Sequence, residues 1–174
     1  MLISSKYWIV RRWVSRLAGI CLAFAILWST AAFSQSGGSE SIPINATIDG
    51  MTVPDQDSPI GVGATGRVNS GPLNGSKDAI YLAASLSAGM PGVEPPTVFS
   101  YSGVQTFHTP TGDLEMTVLG VSDMNRLTFT ELCRITGGTG RFGTASGDLY
   151  ISGVYEPDGI TFHGKVYGRI NVNH

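Results

Sequence analysis

Leu127, Phe129, Glu131, Cys133 and Ile135 occur at every second position, which places one carboxylate on an apolar strand face between Phe129 and Cys133. A carboxyl buried without a partner is held toward its neutral form. In an apolar cavity such a group acts as general acid or base, or donates a hydrogen bond to a carbonyl. Glu131 is therefore the candidate catalytic residue. Two structural alternatives stand beside this one: a bulge that turns Glu131 outward, or an ion pair with Arg126 or Arg134. Tyr101 and Gln105 share a face with Phe99 and Phe107, and Tyr155 shares one with Leu149 and Ile151. If those faces line an interior, these residues, with Phe129 and Cys133, are the candidate ligand contacts.

Other chemistries find no support. His108, His163 and His174 lack metal-ligand spacing, and Asp55-Gln56-Asp57 lacks the rest of a calcium loop, so neither metal nor cofactor is expected. There is no Gly-x-Ser-x-Gly elbow and no Ser-His-Asp arrangement. Gly137-Gly138-Thr139-Gly140 is followed by no Lys and no helix, so it reads as a turn rather than a phosphate cradle. Cys133 is predicted to be a small buried hydrophobe, with nothing nearby to activate its thiol.

The elements that would position these side chains are strands. Ile160, Phe162, Gly164, Val166, Gly168, Ile170 and Val172 fall on one face of the last segment, with His163, Lys165, Tyr167 and Arg169 opposite. The preceding segment puts Ala145, Gly147, Leu149, Ile151, Gly153 and Tyr155 on one face. The two are joined at Glu156-Pro157-Asp158-Gly159, where Pro presets φ, Asp bonds the backbone and Gly accepts positive φ. Further strands are expected over roughly 60–68, 79–86, 97–107, 114–121 and 127–135, and another near 44–48. About eight short strands with tight turns predict an all-β, antiparallel, eight-stranded closed barrel, with a two-sheet sandwich as the alternative.

Composition fits. The 174 residues include 23 Gly, are 42% hydrophobic and only 14% charged, and carry a formal net charge of −2. Charge is asymmetric: Lys6, Arg11, Arg12 and Arg16 precede every acidic residue, while residues 35–174 hold 7 basic against 13 acidic residues, a net −6. That surplus argues against nucleic acid as a partner. The basic stretch is followed by seventeen uncharged residues, Leu17 to Phe33, with small residues at the exit, Ala31, Ala32 and Ser34. These are the parts of a signal peptide, with cleavage expected at Ser34/Gln35. A membrane anchor is the alternative. The organisation expected is a signal peptide over 1–34, a flexible leader over 35–43 and one barrel domain over 44–174. The protein would be exported to a periplasmic or extracellular space, without membrane association once cleaved.

Residues 135–148, ITGGTGRFGTASGD, followed by an alternating strand and DGITFHGKVYGRI, resemble a known signature. It is the strand–GGTG–strand pattern shared by plant dirigent proteins and bacterial secreted proteins with an allene oxide cyclase-like barrel. The resemblance spans about residues 127–172. It implies an eight-stranded antiparallel barrel, often trimeric in the plant members and so a homo-oligomer here by resemblance, that handles a hydrophobic molecule without a cofactor. The plant members' acidic N-terminal strand motif has no counterpart here. Two functions are therefore expected: an exported barrel that binds an apolar small molecule or serves as a non-catalytic module, or a cofactor-free isomerase or cyclase using Glu131 and cavity tyrosines.

Overall fold

The computed structural model describes residues 38–86 and 97–173; the expected signal peptide, residues 35–37 of the expected leader and residues 87–96 lie outside the described residues. Eight strands follow in order: β1 (Ser39–Pro54), β2 (Val62–Asn69), β3 (Gly75–Leu86), β4 (Val98–Thr109), β5 (Gly112–Asp123), β6 (Thr128–Gly138), β7 (Asp148–Tyr155) and β8 (Thr161–Asn173). Each pairs antiparallel with the next, and β8 closes on β1, giving a closed barrel rather than a sandwich. Full closure removes the unpaired edges that an open sheet would expose.

The alternation read in the sequence sets which residues face inward. On β8 Phe162, Val166, Ile170 and Val172 are buried while His163, Lys165, Tyr167 and Arg169 are exposed. The β7–β8 turn is built as its residues require. Asp158 Oδ1 accepts from the Ile160 and Thr161 amides, Oδ2 accepts from the Thr161 hydroxyl, and Gly159 takes φ 67°. The first strand departs from expectation. It starts at Ser39, inside the segment expected as a leader, and runs to Pro54 with Asp49 on its outer face. Thirteen register pairs with β8, from Ser39↔Asn173 to Met51↔Thr161, recruit this polar chain into the wall. The GGTG segment also differs: β6 runs through Gly138, and only Gly140 of the three glycines has positive φ, at the start of a short 3-10 turn, Gly140–Phe142.

The two barrel ends differ. Loops 70–74, 110–111 and 139–147 lie at one end, where Leu73 and Phe142 turn inward with 0% exposure and close a core of Phe107, Leu114, Leu149 and Ile170. Burying each of these side chains contributes about 1.5–3 kcal/mol. Loops 55–61, 124–127 and 156–160 lie at the other end. Polar side chains enter the interior between that end and the apolar core.

Candidate functional site: a carboxylate among tyrosines inside the barrel

Glu131 sits mid-way along β6, paired with Gly120 on β5 and Ile151 on β7, and is 2% exposed. It faces inward, and neither flanking arginine reaches it: Arg126 pairs with Asp123 at 2.9 Å and Arg134 with Asp148 at 3.0 Å. Both structural alternatives from the sequence are thereby excluded.

Tyrosines take the place of an arginine. The Tyr101 hydroxyl donates to Glu131 Oε1 at 3.0 Å, and the Tyr81 hydroxyl donates to the same oxygen at 3.5 Å, the outer limit of a hydrogen bond. The two rings meet edge to face, with centroids 5.1 Å apart. Among the described residues nothing hydrogen-bonds Oε2, although it is buried. Leaving a buried acceptor unserved costs about 1–3 kcal/mol.

The reach of Tyr101 depends on a gap in the neighbouring strand. Tyr101 on β4 is opposite Gly120 on β5, and Gly120 is opposite Glu131. A Cβ on Gly120 would lie 2.2 Å from Tyr101 Cζ. With no side chain there, the phenol crosses β5 and touches the carboxylate. The device recurs twice around the wall. Phe129 lies over Gly153 of β7 and meets Phe162 at 5.5 Å, and Phe162 lies over Gly50 of β1. Large inward side chains thus alternate with glycines, which is how a small barrel fits them in one layer.

Gln105, Cys133 and Tyr155 complete the polar interior. Gln105 Nε2 lies 3.0 Å from Cys133 Sγ, and Gln105 Oε1 is buried with no hydrogen-bond partner among the described residues. The Tyr155 ring packs on Phe129 at 5.2 Å, and its hydroxyl is 3.4 Å from Ser122 Oγ. Burial first, then the Glu131 charge, pushes the hydroxyls of Tyr81 and Tyr101 far above the ordinary tyrosine value. Burial also raises Tyr155, against the Ser122 hydrogen bond that lowers it. Burial and Glu131 raise the Cys133 thiol, while Lys77 and Gln105 oppose them. The phenols therefore stay protonated as donors, and Cys133 is no thiolate nucleophile.

Tyr81, Lys77 and Ser122, which meets the Tyr155 hydroxyl, are interior residues that escaped the sequence reading. Tyr81 belongs to the cluster through its bond to Glu131. Lys77, 1% exposed, holds its ammonium 5.3 Å from the centre of the Phe162 ring. Its stem leaves β3 opposite Gly66, itself opposite Gly50, so the side chain crosses a wall stripped of side chains. The one available signal was the alternation Lys77, Ala79, Tyr81.

The structure thus brings Glu131, Tyr101, Gln105, Phe129, Cys133 and Tyr155 to one interior. No group of three or more His, Cys, Asp or Glu residues suited to a metal occurs among the described residues. A shallow cleft of about 160 Å³ lies on the β3–β4 wall, lined by Ala83, Ala84, Ser85, Ser100, Tyr101, Ser102 and Leu119. Comparison of the chain with family models, curated proteins and solved structures found no match.

Proposed function

We propose that this barrel is an exported carrier or receptor for a small, largely apolar molecule, held in its interior with Glu131 as the polar anchor. The observation that carries the reading is Glu131 Oε2, a buried carboxylate oxygen with no donor among the described residues, beside one that receives two phenols. A purely structural carboxylate gains stability from having both oxygens served; one left open is suited to a donor from a ligand. The aromatic rings around it supply apolar contact area at little cost in side-chain freedom. The basic then apolar N-terminus supports export, and the exported protein is expected to begin at Gln35 by intact mass.

The test titrates N-phenyl-1-naphthylamine, a neutral apolar fluorophore, into protein with labelled isoleucine methyl groups. Saturable binding that shifts Ile48 and Ile151, both 0% exposed, while leaving Ile160, 49% exposed, unmoved is the expected result. Shifts confined to Ile160, or unsaturable fluorescence, would count against an interior site.

A second reading shares the same geometry. Oε2 can take a proton from a bound molecule and return it elsewhere while Tyr101 steadies Oε1, which is isomerisation without a cofactor. Recovered ligand would then carry deuterium after incubation in D2O with wild type but not with Glu131→Gln.

A further inference from the structure

Three properties of the interior narrow the chemistry of its occupant, on the premise that the barrel binds a ligand at all. The unserved atom at its centre is a carboxylate oxygen, an acceptor, so the occupant must bring a donor. The surfaces around that atom are aromatic. Tyr81 and Tyr101 bond the same carboxylate, Tyr155 feels its charge, and Phe129 stands two residues before it on the same strand face. A carboxylate set among aromatic side chains suits a cation on an apolar body, the charge drawn to the carboxylate and the body packed on the rings. The third property is the charge of the barrel mouth. Among the described residues, the loops at the end where Tyr155 and Ser122 lie, 55–61, 124–127 and 156–160, carry Asp55, Asp57, Glu156 and Asp158 against Arg126. The loops of the opposite end, 70–74, 110–111 and 139–147, carry only Arg141. An acidic rim raises the local concentration of cations and repels anions.

We propose that the occupant is an ammonium carried on an apolar body, an alkylamine or arylalkylamine, seated with its N–H on Glu131 Oε2 among the rings of Tyr81, Tyr101 and Tyr155. The other interior cation does not compete for that position. Its ammonium lies 5.3 Å from the centre of the Phe162 ring, and among the described residues no donor, Lys77 included, hydrogen-bonds Oε2. Tyr81 is the side chain that yields: its bond to Oε1 is 3.5 Å against 3.0 Å for Tyr101, so its ring can swing aside while Tyr101 keeps the carboxylate in place.

Calorimetric titration of the full chain at low ionic strength with hexylammonium, 1-hexanol and hexanoate separates the outcomes. Hexylammonium is expected to bind one to one, about tenfold or more tighter than 1-hexanol, with no measurable binding of hexanoate. Glu131→Gln should erase the preference for the amine, and Tyr155→Leu, which leaves the carboxylate in place, should weaken amine binding several-fold. The comparison of three probes on wild-type protein stands even if a variant fails to fold. Equal affinity for hexylammonium and 1-hexanol overturns the ammonium assignment and leaves the interior ligand site intact. Amine binding that Glu131→Gln does not change places the amine on the acidic rim and also overturns it. Failure of all three probes to saturate overturns both this assignment and the binding reading beneath it.

Discussion

Gly120→Ala adds one methyl group to the barrel, and its consequence can be worked out from three residues. Gly120 does not have positive φ, so the backbone itself accepts alanine. The new Cβ would lie 2.2 Å from Tyr101 Cζ, 2.4 Å from Cε2 and 2.6 Å from the hydroxyl oxygen. Non-bonded carbons need about 3.5–4 Å, so the ring must retreat by more than about 1 Å. Overpacking of this kind costs about 1–3 kcal/mol. The retreat also breaks the 3.0 Å bond to Glu131, leaving only the 3.5 Å bond from Tyr81. Losing a hydrogen bond to a buried carboxyl adds about 1–3 kcal/mol. Replacing a strand glycine returns roughly 0.5–1 kcal/mol of backbone entropy. The net loss is about 1–5 kcal/mol, and Tm should fall by several degrees for a domain of this size. The assay is urea unfolding of four proteins: wild type, Gly120→Ala, Tyr101→Ala and the double variant. In the Tyr101→Ala background the three atoms nearest the new methyl group are gone, so Gly120→Ala should cost far less there, giving a coupling of at least about 2 kcal/mol. If Gly120→Ala costs the same in both backgrounds, to within about 0.5 kcal/mol, the idea that this glycine exists to let Tyr101 through is wrong.

Lys77→Met keeps the stem and removes a buried cation. Stability to denaturant should be unchanged or rise by about 1–3 kcal/mol, and a comparable loss would mean that the ammonium holds the wall together. The phenols of Tyr81, Tyr101 and Tyr155 should stay un-ionised in alkaline spectrophotometric titration until the barrel unfolds, because burial and the Glu131 charge raise all three. Tyrosinate absorbance that reached its unfolded amplitude while the far-ultraviolet signal stayed native would contradict this. His163 pairs with Asp49 at 3.0 Å and Glu156 at 2.7 Å, and these bonds raise its pKa above the ordinary value. Its stabilisation is present below the unfolded pKa of about 6.5 and is lost as pH rises through the folded one. The advantage of wild type over His163→Gln should therefore shrink from pH 6 to pH 9, and a constant difference would show that the pairs contribute nothing through charge.

What could be read in advance follows from how local each cause is. The β7–β8 hairpin was legible because Pro157, Asp158 and Gly159 act within their own turn and the alternation continues on both sides. Glu131 was legible for a similar reason: Phe129 and Cys133, two residues away, fix its face. Lys77 was not. The alternation Lys77, Ala79, Tyr81 on its own strand sets its face, but what admits so long a charged side chain are Gly66 and Gly50 on two other strands, brought opposite it only by register. The link between Tyr101 and Glu131 was hidden in the same way, because its enabling residue, Gly120, lies on the strand between them. The early start of β1 was obscured by Pro43 and a polar run, which pairing with β8 overrides.

The seam between β1 and β8 also constrains the order of folding. Every other neighbour pair forms between segments consecutive in sequence, whereas Ser39↔Asn173 joins residues more than a hundred positions apart. Loop-closure entropy must be met before this contact contributes, so the seam should be among the last to form and should set a slow rate. Until β8 has arrived, β1 offers a bare edge to any other strand, including one from a second nascent chain. Removing residues 161–174 would take β8 out of the wall and leave β1 and β7 as permanent edges, exchanging a closed barrel for an open sheet prone to self-association.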